Sequence, residues 1–309
     1  MTLSVFIDGA VGTTGLEIAE RLAGRSEYAL VVLDEDRRKD TDARAEALND
    51  CDVAILCLPD DAAREAVALV QSETTRIIDA SSAHRVATDW TYGFPELIGY
   101  RAVAEARRVS NPGCYPTGFL GLVAPLVRAG ILPRDLAFTC HAVSGYSGGG
   151  KALIGRYEQE AAPAFRAYGL TGGHKHLPEM QVHADLAFPP VFSPAVVPAF
   201  RGMLVEVPLS LAALGNSVNA QAIRETLGEF YADAPLVSVA GSDSGGELLL
   251  NADFAARDDM VLHVFGDDAG TQVRLIAMLD NLGKGASGAA VQTLNLMAGI
   301  DPLAGLRLG

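Results

Sequence analysis

The sequence predicts an α/β protein built from an N-terminal doubly wound parallel sheet and a second, α+β domain. In the first part of the chain, short apolar runs alternate with helical stretches, which is typical of a parallel sheet covered by helices. After residue 129 the strand-like segments become longer and alternate more, as expected of a sheet with one covered face. The third observation is a glycine-rich turn directly after the first strand, which points to nucleotide binding.

Length and composition bound the class of protein. The 309 residues suffice for two medium-sized domains, and 49% hydrophobic with 20% charged residues is normal for a globular core. The net charge of −14 argues against nucleic-acid and anionic-membrane partners, so an anionic substrate would need a local cationic pocket. The four cysteines show neither zinc-like spacing nor a disulfide framework. Because no signal peptide or transmembrane run is visible, we expect a cytoplasmic protein of the size of an enzyme.

The first strand, 3–8, is followed by a turn with the spacing G-x-x-G-x-x-G and then by a helix at 17–22. Glycine lets the backbone approach a pyrophosphate, which the helix N-terminus then binds. We therefore predict a Rossmann-like sheet whose cofactor contacts include Gly9, Gly12, Thr13, Thr14 and Gly15. An ordinary tight turn between strand and helix is the alternative.

The alternation continues with strands at 28–33, 53–58 and 76–79 and helices at 43–48 and 62–71. Two signals at the end of the second strand conflict. Asp34 lies where an acid would hold the ribose of NAD, whereas Arg37, Arg38 and Lys39 suit the 2′-phosphate of NADP. We favour NADP, and a solvated basic loop is the alternative reading.

The segment Ser110-Asn-Pro-Gly-Cys-Tyr-Pro-Thr-Gly118 carries the candidate nucleophile. Pro112 and Gly113 predict a sharp turn, and helical spacing of apolar residues predicts a helix over 117–128. Cys114 therefore lies at or just before a helix N-terminus, whose dipole lowers a thiol pKa from its free value of about 8.5. Backbone N–H groups there can also hold an oxyanion. A buried cysteine beneath a turn is the alternative.

Polar loops flank this turn in the sequence. Ser81 and Arg85 follow the strand at 76–79, where doubly wound folds bind ligands and an arginine suits phosphate or carboxylate. Residues 93–96 read as a loop and 101–107 as a short helix.

The second domain is predicted to contain strands at 136–143, 195–209, 236–240, 260–265 and 271–277 and helices at 151–166 and 219–232. Between its first strand and first helix lies Ser144-Gly-Tyr-Ser-Gly-Gly-Gly-Lys151, where Ser147 and Lys151 are candidate anion contacts. This loop lacks the spacing of a phosphate-binding P-loop.

His174 and His176 are spaced i, i+2, so on an extended segment both would point to one face. A zinc site would need a third ligand at clear spacing, and we expect no metal. Proton transfer beside a cysteine is the better use of a histidine here. Near the end, 280–288 precedes a helix at 289–298 whose small residues allow close packing.

Together these pieces resemble the N-acetyl-γ-glutamyl-phosphate reductase family, NADP-dependent semialdehyde dehydrogenases of arginine biosynthesis. The length and the triple-glycine loop resemble the shorter of the family's two forms. The motifs that carry the resemblance are Ser110-Asn-Pro-Gly-Cys-Tyr-Pro-Thr117, Asp79-Ala-Ser-Ser-Ala-His-Arg85, Gly93-Phe-Pro-Glu96, His174-Lys-His-Leu-Pro-Glu179 and Asn281-Leu-Gly-Lys-Gly-Ala286.

The resemblance implies a fold and a set of domains. Residues 1–113 with 285–309 would form the NADP-binding domain, and 114–284 the α+β catalytic domain of the semialdehyde-dehydrogenase type. The chain would form a homo-oligomer, a dimer or a tetramer.

The resemblance also implies chemistry. Cys114 would form a thioester with the acyl group, and a histidine would move protons; we favour His176 over His174 because Pro178 and Glu179 adjoin it. The remaining implied contacts fall into two groups. Those to substrate are Ser81, Arg85, Asn111, Lys151, Glu179 and Gln292, and further cofactor contacts are Ser144, Gly145 and Asn281.

Two alternatives stay open. The first is the sibling aspartate-semialdehyde dehydrogenase, although Pro-Gly precedes the cysteine here. The second, of a different class, is a non-catalytic NADP-binding sensor, which would form no acyl-enzyme.

Overall fold

The computed structural model describes residues 2–159, 161–214, 218–241 and 246–309. It divides the chain into two compact units. One consists of Met1–Gly113 with Ala286–Leu306, and the other of Cys114–Gly285 with Arg307–Gly309.

The first unit contains a six-stranded sheet in the order β2-β1-β3-β4-β6-β5, with every neighbouring pair parallel. Its strands are β1 (Leu3–Asp8), β2 (Tyr28–Val31), β3 (Val53–Leu56), β4 (Arg76–Asp79), β5 (Thr91–Tyr92) and β6 (Arg108–Ser110). Its helices before the cysteine turn are α1 (Thr13–Leu22), α2 (Thr41–Asp50), α3 (Asp60–Leu69), α4 (Pro95–Ile98) and α5 (Tyr100–Glu105). The predicted doubly wound parallel sheet is thereby confirmed. The predicted loop at 93–96 is wrong in part, because a short helix begins at Pro95, whose fixed φ suits a first helical turn.

The second unit contains a seven-stranded mixed sheet in the order β11-β12-β13-β10-β7-β9-β8. In chain order its elements are α6 (Cys114–Arg128), β7 (Thr139–Gly145), α7 (Gly150–Tyr157), β8 (Arg166–Ala167), α8 (Leu177–His183), β9 (Val191–Val197), β10 (Met203–Ser210), α9 (Ala220–Phe230), β11 (Val237–Val239), β12 (Met260–Gly266) and β13 (Gln272–Leu279). The long helix α6 packs on β10, β12 and β13, so the α+β prediction is confirmed.

Two predicted elements of this unit differ from the structure. The strand expected over 195–209 is two strands, β9 and β10, because the chain turns between them at Gly202, whose φ is +99°. The helix expected over 151–166 ends at Tyr157. Pro163 has no N–H and its ring would clash with the preceding turn, so a helix cannot run through to 166.

The last helix, α10 (Gly288–Met297), belongs to the first unit. Its Ala290, Val291 and Leu294 are fully buried in one core with Val5 and other apolar residues of the parallel sheet. This agrees with the close packing expected of its small residues.

The side chain of Arg76 forms hydrogen bonds to the C-terminal ends of both α5 and α10. Its guanidinium donates to the carbonyls of Ala104 and Ala106, at the end of α5, and to that of Met297, at the end of α10. Carbonyls at helix C-termini lack intrahelical partners and carry partial negative charge, so they suit a cation.

Candidate active site

Cys114 is the first residue of α6, as the position of the Gly/Pro turn predicted. Its side chain is partly exposed and carries a reduced thiol. Because α6 has 15 residues, its N-terminal N–H groups and dipole are aligned over four turns. The arrangement favours a thiolate and offers donors to a negatively charged oxygen.

The segment that leads into this turn is held firmly within the first unit. The Asn111 N–H donates to the carbonyl of Asp79 at 2.7 Å, and its side-chain Nδ2 donates to the carbonyl of Ala286 at 3.0 Å. Arg85 Nε donates to the carbonyl of Asn111 at 3.0 Å. The Asn111 Oδ1 atom is buried and accepts no hydrogen bond from the described residues.

The two histidines do not lie on a strand: His174 has no regular secondary structure, and His176 lies in the turn that leads into α8. His176 is the N-cap residue of α8, and Pro178 occupies the first turn of this helix. The two rings nevertheless lie together, with centroids 4.7 Å apart. Both are next to the ring of Tyr115, the residue after the cysteine, at 6.2 and 5.9 Å. The structure thus places both histidines beside the start of α6.

His176 and Glu179 are buried, whereas His174 is half-buried. Burial, with a smaller contribution from the charge of Lys175, lowers the pKa of His174. Its Nδ1 accepts the backbone N–H of His176 at 3.2 Å.

A cluster of three aromatic side chains, which the sequence did not indicate, lies next to His174 and His176. The Tyr168 hydroxyl donates to the Tyr115 hydroxyl at 3.3 Å, and Tyr115 donates to the carbonyl of Ala195 at 3.1 Å. Phe192 packs against Tyr115 and His174 with centroids 5.1 and 5.0 Å away. Burial raises the pKa of Tyr168 to about 12 and that of Tyr115 further, so both phenols stay neutral at physiological pH.

Arg166 is a second feature that was missed. Its guanidinium lies 4.4 Å from the centroid of the Tyr168 ring. Arg166 and Tyr168 are spaced i, i+2 at strand β8, which puts their side chains on one face of the strand. This spacing is the feature of the sequence from which their contact could have been predicted.

The chain returns to Cys114 through a single turn of π-helix at Gly283–Ser287. A Cβ at Gly285 would lie 2.8 Å from the Cβ of Cys114, so this backbone lies directly against the cysteine. Asp280 anchors the turn: it accepts from the Leu282 N–H at 2.9 Å and pairs with Arg201 at 2.9 Å. Irregular helical turns of this kind are frequent at functional sites.

Asn281 precedes that turn and is fully buried. Its Nδ2 donates to the Ser147 hydroxyl at 2.9 Å, while its Oδ1 is buried without a partner in the part of the chain that the structure describes. Ser144 donates to the carbonyl of Gly145 at 3.0 Å. Asn281 and the 144–147 loop therefore form one polar cluster, whereas Lys151 is exposed on α7.

The glycine turn of the first unit is tightly packed against its own backbone. Gly9 has a φ of +88°, and a Cβ there would lie 2.4 Å from the carbonyl oxygen of Cys57. A Cβ at Gly15 would lie 2.5 Å from the carbonyl oxygen of Gly9. Gly12 is the N-cap of α1 and provides no side-chain cap, and Thr13 and Thr14 begin the helix. A side chain could not be added at Gly9 or Gly15 without moving backbone, and such a tight turn at a helix N-terminus is compatible with a bound pyrophosphate.

The residues expected to choose between NAD and NADP are exposed or partly exposed. Asp34 lies three residues beyond the end of β2, which stops at Val31 rather than at residue 33. Arg37 pairs with Glu46 at 3.0 Å and Arg38 with Glu35 at 2.8 Å.

The loop after β4 is a buried polar cluster around Asp79. The Ser81 hydroxyl donates to Asp79 Oδ2 at 2.7 Å, and His84 Nδ1 lies 2.6 Å from the same oxygen. Arg85 is buried and donates to the carbonyl of Ala80 at 3.2 Å. The Asp79–His84 pair was not foreseen.

Gln292, on α10, is fully buried within the first unit. Its Nε2 donates to Oε1 of Glu96 at 2.8 Å, so the amide holds a carboxylate of the Gly93-Phe-Pro-Glu96 motif.

Over the described ranges, no three His, Cys, Asp or Glu side chains gather as ligands of a metal ion would. Within the same ranges, no helix combines the length and the apolar character needed to cross a membrane.

Two family models together match most of the chain. Residues 4–105 match the semialdehyde dehydrogenase NAD binding domain, and residues 114–281 the semialdehyde dehydrogenase dimerisation domain. Solved structures of similar fold include aspartate semialdehyde dehydrogenase II from Vibrio cholerae, with a TM-score of 0.69 at 18% identity over 96% of this chain and 98% of that one. The aspartate semialdehyde dehydrogenase from Francisella tularensis gives 0.69 at 13% identity over 96% and 100%. At such identities the likeness shows the fold alone.

Curated relatives are much closer in sequence. A Nostoc protein named N-acetyl-gamma-glutamyl-phosphate reductase 2 is 50% identical over 98% of both chains. A Brucella ovis protein named N-acetyl-gamma-glutamyl-phosphate reductase is 49% identical over 97% of this chain and all of its own. The chain therefore belongs to the N-acetyl-gamma-glutamyl-phosphate reductase family of semialdehyde dehydrogenases.

Proposed function

We propose that this protein reduces N-acetyl-γ-glutamyl phosphate to N-acetylglutamate 5-semialdehyde with NADPH, in arginine biosynthesis. The observation that carries the proposal is Cys114 at the start of α6, with the histidine pair beside the adjoining Tyr115. The names of relatives at about 50% identity support the choice of substrate.

In the proposed mechanism the Cys114 thiolate attacks the acyl carbon, and the C–O bond to phosphate breaks. When bound, the nicotinamide cofactor supplies the hydride that reduces this thioester. The thioester keeps the acyl carbon electrophilic after phosphate has left, whereas a free carboxylate is too poor an electrophile to accept hydride. Collapse of the resulting thiohemiacetal expels the Cys114 thiolate and releases the aldehyde. His176 donates a proton to the oxygen when hydride adds and removes that proton when the thiohemiacetal collapses.

The first unit is proposed to hold the dinucleotide through Gly9, Gly12, Thr13, Thr14 and Gly15. The geometry of this turn, which leaves no space for a Cβ at Gly9 or Gly15, supports that role. We propose NADP rather than NAD because Arg37 and Arg38 follow the second strand. To bind the 2′-phosphate, both arginines would have to give up their ion pairs with Glu46 and Glu35. Ion pairs at the protein surface contribute little to stability, so this exchange costs little free energy.

The remaining proposed contacts form two groups. Asn281, with a buried Oδ1 that has no partner among the described residues, and the Ser144–Gly145 segment are proposed cofactor contacts. Those proposed for substrate are Ser81, Arg85, Asn111, Lys151, Glu179 and Gln292. Of these, Asn111 has the strongest support, because its buried Oδ1 accepts no hydrogen bond from the described parts of the chain.

We also propose a homo-oligomer, a dimer or a tetramer, because residues 114–281 match a domain described as a dimerisation domain. Light scattering on the purified protein measures the number of subunits. We also propose a cytoplasmic location, and the four cysteines, none of which lies in a disulfide, are compatible with a reducing compartment.

The decisive test is reduction of NADP with N-acetylglutamate semialdehyde and phosphate, run in parallel with aspartate semialdehyde. Faster turnover of aspartate semialdehyde would replace the proposal by the sibling activity. Mass spectrometry after incubation with the acyl phosphate, without NADPH, should show an adduct on Cys114. Cys114→Ser should bind NADPH but form no adduct and show no turnover, and an active variant would refute the thioester mechanism. A protein that binds NADP but forms no adduct would be the non-catalytic sensor.

A further inference from the structure

The contact between the two histidines defines the protonation state of one of them. Nδ1 of His174 accepts the backbone N–H of His176 at 3.2 Å. A ring nitrogen that accepts a hydrogen bond carries no proton. This hydrogen bond therefore requires the neutral ring of His174, with its proton on Nε2.

The surroundings of His174 favour that neutral form. Its ring has edge or tilted contacts with Phe192 at 5.0 Å, Tyr168 at 5.7 Å and Tyr115 at 6.2 Å. The two phenols are neutral near pH 7. Lys175, next in the chain, is exposed and adds a like charge that disfavours a second one. Burial and this charge both lower the pKa of His174, so protonation of Nδ1 is disfavoured.

The hydrogen bond acts on the backbone of the other histidine. His176 is the N-cap residue of α8, with φ −87° and ψ −10°. Its N–H precedes the helix and has no intrahelical acceptor of its own. The ring of His174 thus fixes the residue from which the His176 side chain, 6% exposed, extends.

We propose that His174 is a positioning residue whose unprotonated Nδ1 holds the backbone amide of His176 and thereby orients the His176 ring for proton transfer. The inference rests on the proposed function for the role of His176. The two histidines then have different roles, since the His176 ring moves protons while the His174 ring is a fixed acceptor that never changes charge in the cycle.

Two amide replacements test which atom of His174 matters. In His174→Asn, Oδ1 can occupy the place of Nδ1 and accept the same N–H. In His174→Gln, the amide reaches the place of Nε2 and leaves no acceptor at the δ position. Misplaced reacting groups cost roughly 10²-fold per ångström. We therefore expect kcat to fall by roughly threefold or less in the Asn variant and by roughly 10- to 100-fold in the Gln variant.

The reverse order, with Gln active and Asn inactive, would show that Nε2 contacts substrate and would overturn the proposal. An equal, large loss in both variants would also overturn it, because a proton shuttle tolerates neither amide. His176→Asn is the reference for a lost shuttle, with kcat lowered by roughly 10²- to 10⁴-fold. It should also flatten one limb of the pH–rate profile, which His174→Asn should retain.

A measurement independent of turnover tests the same bond. Long-range ¹H–¹⁵N spectra of the wild-type protein with labelled histidine report the tautomer of each ring. The signals absent from the His174→Asn spectrum identify His174. A neutral Nε2–H ring at pH 7 is expected, and an Nδ1–H ring or an imidazolium would overturn the proposal. If the wild-type protein forms no acyl adduct but His174 shows the expected tautomer, the proposed function fails and the hydrogen bond stands.

Discussion

Replacement of Gly285 by alanine should impair catalysis without preventing folding. The added Cβ would lie 2.8 Å from Cys114 Cβ, 3.2 Å from Cys114 Cα and 3.1 Å from the Asp280 carbonyl oxygen. Ordinary contacts begin near 3.4 Å, so the cysteine or the π-helical turn must move by about 0.6 Å. None of these neighbours is the flexible end of a long side chain, and relief requires backbone movement.

The magnitude follows from the displacement. At roughly 10²-fold per ångström, a shift of about 0.6 Å should lower kcat by roughly 10- to 20-fold. Overpacking of a buried site should lower the free energy of unfolding by about 1–3 kcal/mol. Affinity for NADPH should fall less than kcat, because Asn281 is the one proposed cofactor contact next to the displaced turn, whereas the glycine turn lies in the other unit.

Steady-state kinetics measure kcat and the KM for NADPH, and chemical denaturation measures the free energy of unfolding. The rate of adduct formation on Cys114 tests the attack of the cysteine separately. Gly228→Ala is the matched control, because Gly228 lies within α9 and an added Cβ would meet no described atom within 4 Å. That control should keep kcat and gain roughly 0.4–1 kcal/mol of stability. A Gly285→Ala variant with wild-type kcat would show that the π-helical turn does not position the cysteine.

Three further outcomes are expected. Gly9→Ala should abolish NADPH binding in a fluorescence titration, because φ is +88° and the methyl would clash with a carbonyl oxygen at 2.4 Å; retained affinity would exclude this turn as the cofactor site. Replacing Arg37 and Arg38 by alanine should raise the KM for NADPH far more than that for NADH. If the unmodified protein uses NADPH and NADH equally, then Asp34, and not the arginine pair, determines the cofactor preference. Arg76→Met should lower the free energy of unfolding by about 2 kcal/mol or more, because its charge-assisted hydrogen bonds to carbonyls at the ends of α5 and α10 are lost. A change below about 0.5 kcal/mol in urea denaturation, the size of an ordinary surface substitution, would mean that water replaces the guanidinium.

The sequence allowed the nucleotide turn and the position of the cysteine to be predicted because both depend on short-range chemistry. Glycines at 9, 12 and 15 and the Pro112–Gly113 pair limit the local backbone whatever surrounds them. The surroundings of Cys114 could not be predicted in the same way. Tyr168 and Phe192 contact Tyr115 and His174 from segments that are distant in sequence, and no local pattern specifies which strands are neighbours.

The two helices that the sequence reading missed share one feature. α4 begins with Pro95-Glu96, and α8 has Pro178-Glu179 in its first turn. Proline and an acid are typical of a first helical turn, since proline needs no N–H partner there and the acid complements the helix dipole. With four and seven residues, these helices are too short to show hydrophobic periodicity, and the start signal was the only one available.

The contribution of α10 to the first unit affects how the protein folds as it is made. The ribosome adds all of Cys114–Gly285 before it adds Gly288–Met297, yet the core beneath β1 is closed by Ala290, Val291 and Leu294. During synthesis the apolar face of the parallel sheet therefore stays exposed to solvent until α10 has been added. A chaperone that covers this face would act in that interval, and a fragment of the first 113 residues alone should expose it permanently and aggregate.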